Sequence, residues 1–302
     1  MSHLDRKEVV ERATSLLRIG LGLVFVIGGL AKLNLLLGTS AAHDGMVAQY
    51  LGSAGYINSL FQQYLFSGTS LLSPSVFLTA LSFFELASGL AFIAGVFIRP
   101  LSLFYGFLLW TFVVALPTNT VPGVSLSVET YTAPAILVQM RDIALSGMMF
   151  VLFNLGAGKA SLDRKWFPHQ SDISWNTLGL LLRFSLGMVF IVAGFFGGFA
   201  HIANFASNHW LLALIGLVMI FGDAVLVRAA AAFAMGVFIW FMLHKLNFDK
   251  SALANLNSFK REFALLGAAA MLLMLGGGDA FTGRDLARRV AAYFSGAGRV
   301  AN

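Results

Sequence analysis

Glu85 stands in the stretch LTALSFFELASGLAFIAGVFIRP, with apolar neighbours on both sides. A charge inside a membrane span costs about 2.5–3.5 kcal/mol on insertion scales, so it needs a partner or a task. Three other ionisable groups fall at its depth. Arg18 and Arg99 mark the same boundary of their helices. Glu85 precedes Arg99 by 14 residues and Lys32 follows Arg18 by 14 residues. At 1.5 Å per residue both stand about 21 Å from that boundary. Arg141 and Asp142 open a later apolar stretch from the far side, near the same level. Lys32, Glu85, Arg141 and Asp142 are therefore expected as one polar cluster in the outer third of a bundle. One reading is a network of ion pairs that ties four helices together. The other is a binding site with two cations and two carboxylates, because perturbed, partly buried ionisable groups gather at functional sites.

The elements that position these groups are apolar. Of 302 residues 58% are hydrophobic and 11% charged, with a mean hydropathy of +0.80. Soluble domains carry roughly 25% charged residues. The composition excludes a soluble enzyme, a disordered chain and a nucleic-acid binder, and leaves an all-α integral membrane protein. A spanning helix takes about 20 apolar residues. Eight stretches qualify as transmembrane helices, at about 16–33, 75–97, 101–116, 136–156, 177–198, 210–227, 229–246 and 263–277. The connection 34–72 carries no Lys or Arg, and an interfacial helix is expected over 56–66. Of the Lys and Arg residues, Lys32, Arg141, Lys245, Lys250, Lys260 and Arg261 fall on one side and the remaining fourteen on the other. By the positive-inside rule both termini are cytoplasmic, in a cell inner membrane.

The chain also matches itself. RIGLGLVFVIGGLAKL from Arg18 matches RFSLGMVFIVAGFFGG from Arg183, and RDIALSGMMFVLFNLGAG from Arg141 matches REFALLGAAAMLLMLGGG from Arg261, with Arg99 corresponding to Arg228. Recurring landmarks in one order predict two tandem four-helix bundles of parallel topology. The expected divisions are a cytoplasmic segment 1–15, a first bundle 16–165, a linker 166–176, a second bundle 177–285 and a cytoplasmic tail 286–302. In the second copy Gly197 stands for Lys32 and Leu214 lies near the place of Glu85, while Arg261 and Glu262 keep the Arg-acid pair. The second bundle is accordingly expected to be scaffold or partner surface. Gly22, Gly28 and Gly29, and Gly187, Gly194, Gly197 and Gly198, are expected at close helix contacts. Asp223, five residues before Arg228, is expected to pair or snorkel at the boundary.

With no cysteine, the chain has no thiolate chemistry, Fe–S ligation or c-type haem attachment of its own. His201 and His209 lie eight apart with no third ligand near, so no metal is expected.

RIGLGLVFVIGGLAKL, FFELASGLAFIAGVFIRP and MRDIALSGMMFVLFNLGAGKASLDR together resemble the DoxX/DoxD family. In that pattern an Arg opens the first helix, a Lys ends it, a Glu precedes spaced glycines and an Arg, an Arg-Asp pair enters the last helix, and a G-x-G…SLD tail follows. Residues 16–165 carry all of these, and 177–285 resemble a degenerate second copy. The resemblance implies a membrane subunit of a thiosulfate:quinone oxidoreductase. Lys32 and Arg141 would then bind the dianion by charge-assisted hydrogen bonds, and Glu85 and Asp142 would act catalytically as proton acceptors. Quinone would be the cofactor, without metal or haem, and the partners would be membrane lipid and a redox subunit. The alternatives are a non-catalytic scaffold that anchors a redox partner, and a small-anion transporter.

Overall fold

In the computed structural model, residues 3–52, 57, 59–66, 72–116, 122–125, 129–130, 133–159, 161–166 and 174–195, and 210–297, are described. Helices fall in the eight expected stretches, although the sixth and seventh meet at Gly222 and Asp223, so that Arg228 lies within α10 and not between the two: α1 (His3–Leu36), α4 (Pro74–Ala94), α5 (Ile98–Ala115), α6 (Ala135–Leu155), α8 (Trp175–Phe195), α9 (Trp210–Phe221), α10 (Ala224–Lys245) and α12 (Lys260–Leu275). Between them lie the short helices α2 (Ser40–Leu51), α3 (Ser59–Leu65), α7 (Leu162–Trp166) and α11 (Ala252–Ser258), and α13 (Gly283–Ala297) follows α12. A two-residue antiparallel ladder, β1 (Glu129–Thr130) with β2 (Ala133–Pro134), precedes α6. Helix starts follow local chemistry. Ser73 caps α4, with Pro74 in its first turn, and the Asp223 carboxylate accepts from the Val225 and Leu226 amides at the start of α10.

Six of the eight long helices are long and apolar enough to cross a membrane, where eight spans were expected. α9 has 12 residues, and α12 has 16 and opens on Lys260, Arg261 and Glu262. Both fall short of the roughly 20 apolar residues that a span requires. Within 56–66, where an interfacial helix was expected, α3 forms over Ser59–Leu65, with α2 before it.

Without water to drive association, helix contacts in lipid depend on close packing of small residues. Gly22 on α1 and Gly89 on α4 face each other, so that a methyl on Gly89 would stand 2.6 Å from the Val26 amide nitrogen. Gly187 on α8 and Gly216 on α9 meet in the same way, and a methyl on Gly216 would stand 2.9 Å from the Ile191 amide nitrogen. Gly29 presses on the Leu86 backbone, where a methyl would approach to 2.7 Å. The turns that end α6 and α12 are alike as well. Gly156 and Gly158 have φ of 78° and 69°, and Gly276 and Gly278 have φ of 67° and 70°. Residues with a Cβ rarely adopt these angles.

The halves are not packed as two separate bundles. α1 packs on α4 and equally on α12; α8 packs on α9 and also on α6; α5 pairs with α6 and α10 with α12. The last helix of each half thus lies against the first helix of the other. Gly267 of α12 fits against Leu16 and Leu17 of α1, and Gly147 of α6 fits against Ser185 of α8. Contacts between 16–165 and 177–285 are about as extensive as those within 177–285, though fewer than those within 16–165.

Arg18 and Arg183, expected as boundary markers, are among the most buried side chains of the molecule. Arg183 donates to the carbonyls of Ile220, at the end of α9, and Ala280. It thereby serves carbonyls that a helix end leaves without a partner. Asp163 accepts from the Phe97 and Ile98 amides at the start of α5, 2.9 and 2.7 Å away. Asp223 pairs as expected, with Arg284 at 3.2 Å. Gly197, His201, His209 and most of the expected linker 166–176 lie outside the described residues, and the expected tail 286–302 is helical from Gly283 to Ala297.

Candidate functional site

At the end of the molecule opposite Arg18, α1 carries Lys32 and α4 carries Glu85. Both are buried and they form an ion pair. Their equal depth follows from the equal offsets from Arg18 and Arg99, and the glycine contact between α1 and α4 brings them together. One turn further along α4, the Ser88 hydroxyl hydrogen-bonds the Tyr105 hydroxyl of α5. The Tyr105 ring is stacked on Phe25 at 3.9 Å between centroids. Tyr50, on α2, presents its ring 5.8 Å from Lys32 Nζ. Burial, and then the Glu85 carboxylate, push the Tyr50 phenol above its ordinary range, so it stays a neutral donor.

Arg141 and Asp142, the other two expected members of the cluster, form ion pairs of their own. They pair across the halves with the matching dipeptide of α12. Arg141 Nη2 lies 3.0 Å from Glu262 Oε1, and Arg261 Nε lies 3.1 Å from Asp142 Oδ1. Asp142 is 2% exposed and Glu262 1%. A buried ion pair lacking one member is strongly destabilised, so each half depends on the other for its counter-charge. The second half, expected as scaffold or partner surface, thus supplies counter-charges to the first.

The first turn of α12 links these pairs. Lys260 reaches the Lys32–Glu85 pair: a methyl on Gly28 would stand 3.5 Å from Lys260 Nζ and 3.6 Å from Glu85 Oε2. Lys260 Nζ also donates to Asn257 Oδ1 at 2.7 Å. Beyond Arg141, the ring of Phe241 lies 5.9 Å from the Arg141 guanidinium and 5.7 Å from Lys245 Nζ. The resulting chain of charges contains three carboxylates, Glu85, Asp142 and Glu262, and five cations, Lys32, Arg141, Lys245, Lys260 and Arg261. Among the described residues no carboxylate lies within ion-pair distance of Lys245 or Lys260. The amino end of α12, with its outward N–H groups, adds partial positive charge at the same place. Tyr50, Lys245, Lys260 and Glu262 were not among the expected site residues. The repeated Arg-acid dipeptide was the available signal, because two such dipeptides brought face to face pair reciprocally. Leu214, near the place of Glu85 in the second half, is exposed on α9.

Residues 13–117 match the model of the DoxX family. The matched stretch contains Arg18, Lys32, Glu85 and Arg99 and ends before α6. No curated protein and no solved structure matches the chain. With this match and six helices apolar enough to span among the described residues, the protein is a multi-pass membrane protein.

Proposed function

We propose that this is a DoxX/DoxD-like membrane subunit that binds a small sulfur-containing dianion, thiosulfate, at the charged end of the bundle and passes its electrons to quinone. What supports the reading is the surplus of cations: two more than carboxylates, with half-buried Lys245, Lys260 and Arg261 at the rim of buried ion pairs, where an anion is attracted. Lys32 and Arg141 remain the substrate-binding residues, with Lys260 and Lys245 as the cations that a dianion meets without displacing a paired carboxylate. In this reading the chain arose by duplication, all eight long helices cross the inner membrane, and both termini are cytoplasmic.

The reaction joins two thiosulfate ions through a new sulfur–sulfur bond and releases two electrons. Quinone, when bound, takes up these electrons and two protons. The donor set fits its head group: Tyr50 packs with Phe112, Leu116 and Val138, which form an apolar wall, and the Tyr50 phenol and the Lys32 ammonium offer hydrogen-bond donors. In this reading Glu85 and Asp142 hold and release protons beside these donors. A redox partner subunit and membrane lipid complete the assembly.

The reciprocal pairs Arg141–Glu262 and Arg261–Asp142 favour a second reading, a non-catalytic scaffold in which the charges lock the halves together. One experiment separates the two. Purified protein in nanodiscs with a short-chain quinone is supplied with thiosulfate, and quinone reduction is followed optically alongside thiosulfate binding by calorimetry. The redox reading expects saturable binding and thiosulfate-dependent reduction, both lost in Lys260→Met/Lys245→Met. Absence of binding as well as of reduction overturns it in favour of the scaffold.

A further inference from the structure

α13 has fifteen residues and leaves the bundle at the Arg18 end, seven residues after α12 stops. Its start is well specified. The Thr282 hydroxyl accepts from the Asp285 amide at 3.1 Å, Asp285 Oδ2 accepts from the Phe281 amide at 3.1 Å, and Arg284 reaches back to Asp223. These are the reciprocal bonds of a helix-capping pair. At 100° per residue, Leu286, Val290, Tyr293 and Phe294 fall on one arc, and Arg284 and Arg288 fall opposite, with Arg289 on its flank.

No described helix packs along this apolar arc. Val290 is 55% exposed, Tyr293 75% and Phe294 69%. Phe281 is exposed beside them, and its ring lies 5.1 Å from the Arg289 guanidinium. Phe97, in the turn between α4 and α5 at the same end, is exposed as well. Aromatic residues at one level of a membrane protein mark the interface with lipid head groups. An amphipathic helix with aromatic and aliphatic residues on one face and Arg on the other is built to lie in that interface. Arg284 and Arg289 pair at the surface with Asp223 and Asp285, and exposed Arg288, in no ion pair among the described residues, leaves this end net positive toward an anionic leaflet.

We infer that α13 lies on the bilayer at the Arg18 end, with Val290, Tyr293 and Phe294 in the head-group region and Arg284, Arg288 and Arg289 held by anionic phospholipid. The occupant is the lipid surface of the membrane that the bundle already spans. The continuity of α13 with α12 and the sign of its charge select that surface over an acidic protein.

The absence of native cysteine makes the test direct. Full-length Tyr293→Cys, and separately Val290→Cys, is labelled with an environment-sensitive fluorophore. Each is placed in nanodiscs of phosphatidylcholine, with or without three-tenths phosphatidylglycerol. Lipids carrying a quencher near the head group report contact. The expected result is a blue-shifted emission and several-fold stronger quenching in the anionic discs. The triple change Arg284→Gln/Arg288→Gln/Arg289→Gln should return quenching to the level of neutral discs, with the protein still monodisperse. A water-like emission at both positions in both lipids overturns the inference. So does equal quenching in neutral and anionic discs, and so does shielding of the label by an acidic polypeptide in its place.

Discussion

The pairing of Arg141 with Glu262 across the two halves can be tested by removing one charge at a time. In Glu262→Gln the Arg141 guanidinium loses this carboxylate while its side chain, 9% exposed, stays out of water. Removing one member of a buried pair costs about 3–5 kcal/mol. Asp142→Asn does the same to Arg261, but that side chain is 24% exposed. Water then takes part of the charge, and the cost falls to about 1–3 kcal/mol, the range for a desolvated polar group that loses a bond. For a chain of this size 1 kcal/mol moves a thermal midpoint by about 2 °C. Thermal unfolding in detergent should therefore show Glu262→Gln lower by roughly 6–10 °C and Asp142→Asn by roughly 2–6 °C. The double change Arg141→Met/Glu262→Met removes both charges and leaves apolar groups of similar size, so its midpoint should return most of the way to that of the parent. A double variant as unstable as the two single losses added together would refute the claim that the two groups act on each other. Equal shifts for Glu262→Gln and Asp142→Asn would refute the ranking by exposure.

Three further outcomes are expected. Glu85→Gln should abolish thiosulfate-linked quinone reduction while leaving the protein in the membrane, whereas Glu85→Leu should also lower the folded yield, because Lys32 then has no oxygen to face; full activity in Glu85→Gln would remove Glu85 from the reaction. Gly89→Val should destabilise the α1–α4 contact strongly, since even a methyl there stands 2.6 Å from the Val26 amide nitrogen, while Gly45→Ala, which meets nothing within 4 Å, should behave as the parent in the same thermal scan. Reporter fusions after Gly52 and after Asn302 should give signals from opposite sides of the membrane, and matching signals would sink the orientation.

Helix positions were legible because apolar length is a local property. All eight long helices lie where apolar runs end at Gly, Pro or charged residues, although α9 and α12 are too short to count as spans by themselves. The Lys32–Glu85 contact was legible for a similar reason: rise per residue converts two sequence offsets into one depth. Partner choice was not legible. Arg141-Asp142 and Arg261-Glu262 are nearly the same dipeptide, and which acid meets which Arg depends on α6 and α12 packing against the first helices of the opposite halves. Arg18 and Arg183 misled in another way. A positive residue near a helix end reads as a boundary marker, yet both are buried, and Arg183 donates from that position to the carbonyl that the end of α9 leaves without a partner.

The exchange of last helices also decides what a single half can do. Residues 16–165 alone would leave Arg141 and Asp142 without Glu262 and Arg261, and would strip from α1 the face that packs on α12. Two buried charges would then lack counter-charges, at about 3–5 kcal/mol each, which approaches the whole stability of a folded domain. The halves are therefore expected to fold as one unit. The amino end of α12 supplies Lys260 to the Lys32–Glu85 pair and the counter-charges for Asp142 and Arg141 in successive positions, so a site that begins on the DoxX-like segment is completed by the half that lacks its Lys and Glu. Expressing 16–165 and 177–285 as separate chains tests this. Each alone should be degraded or aggregated, and co-expression should recover a complex that contains both. A first half that is stable and binds thiosulfate by itself would show that the second contributes no part of the site.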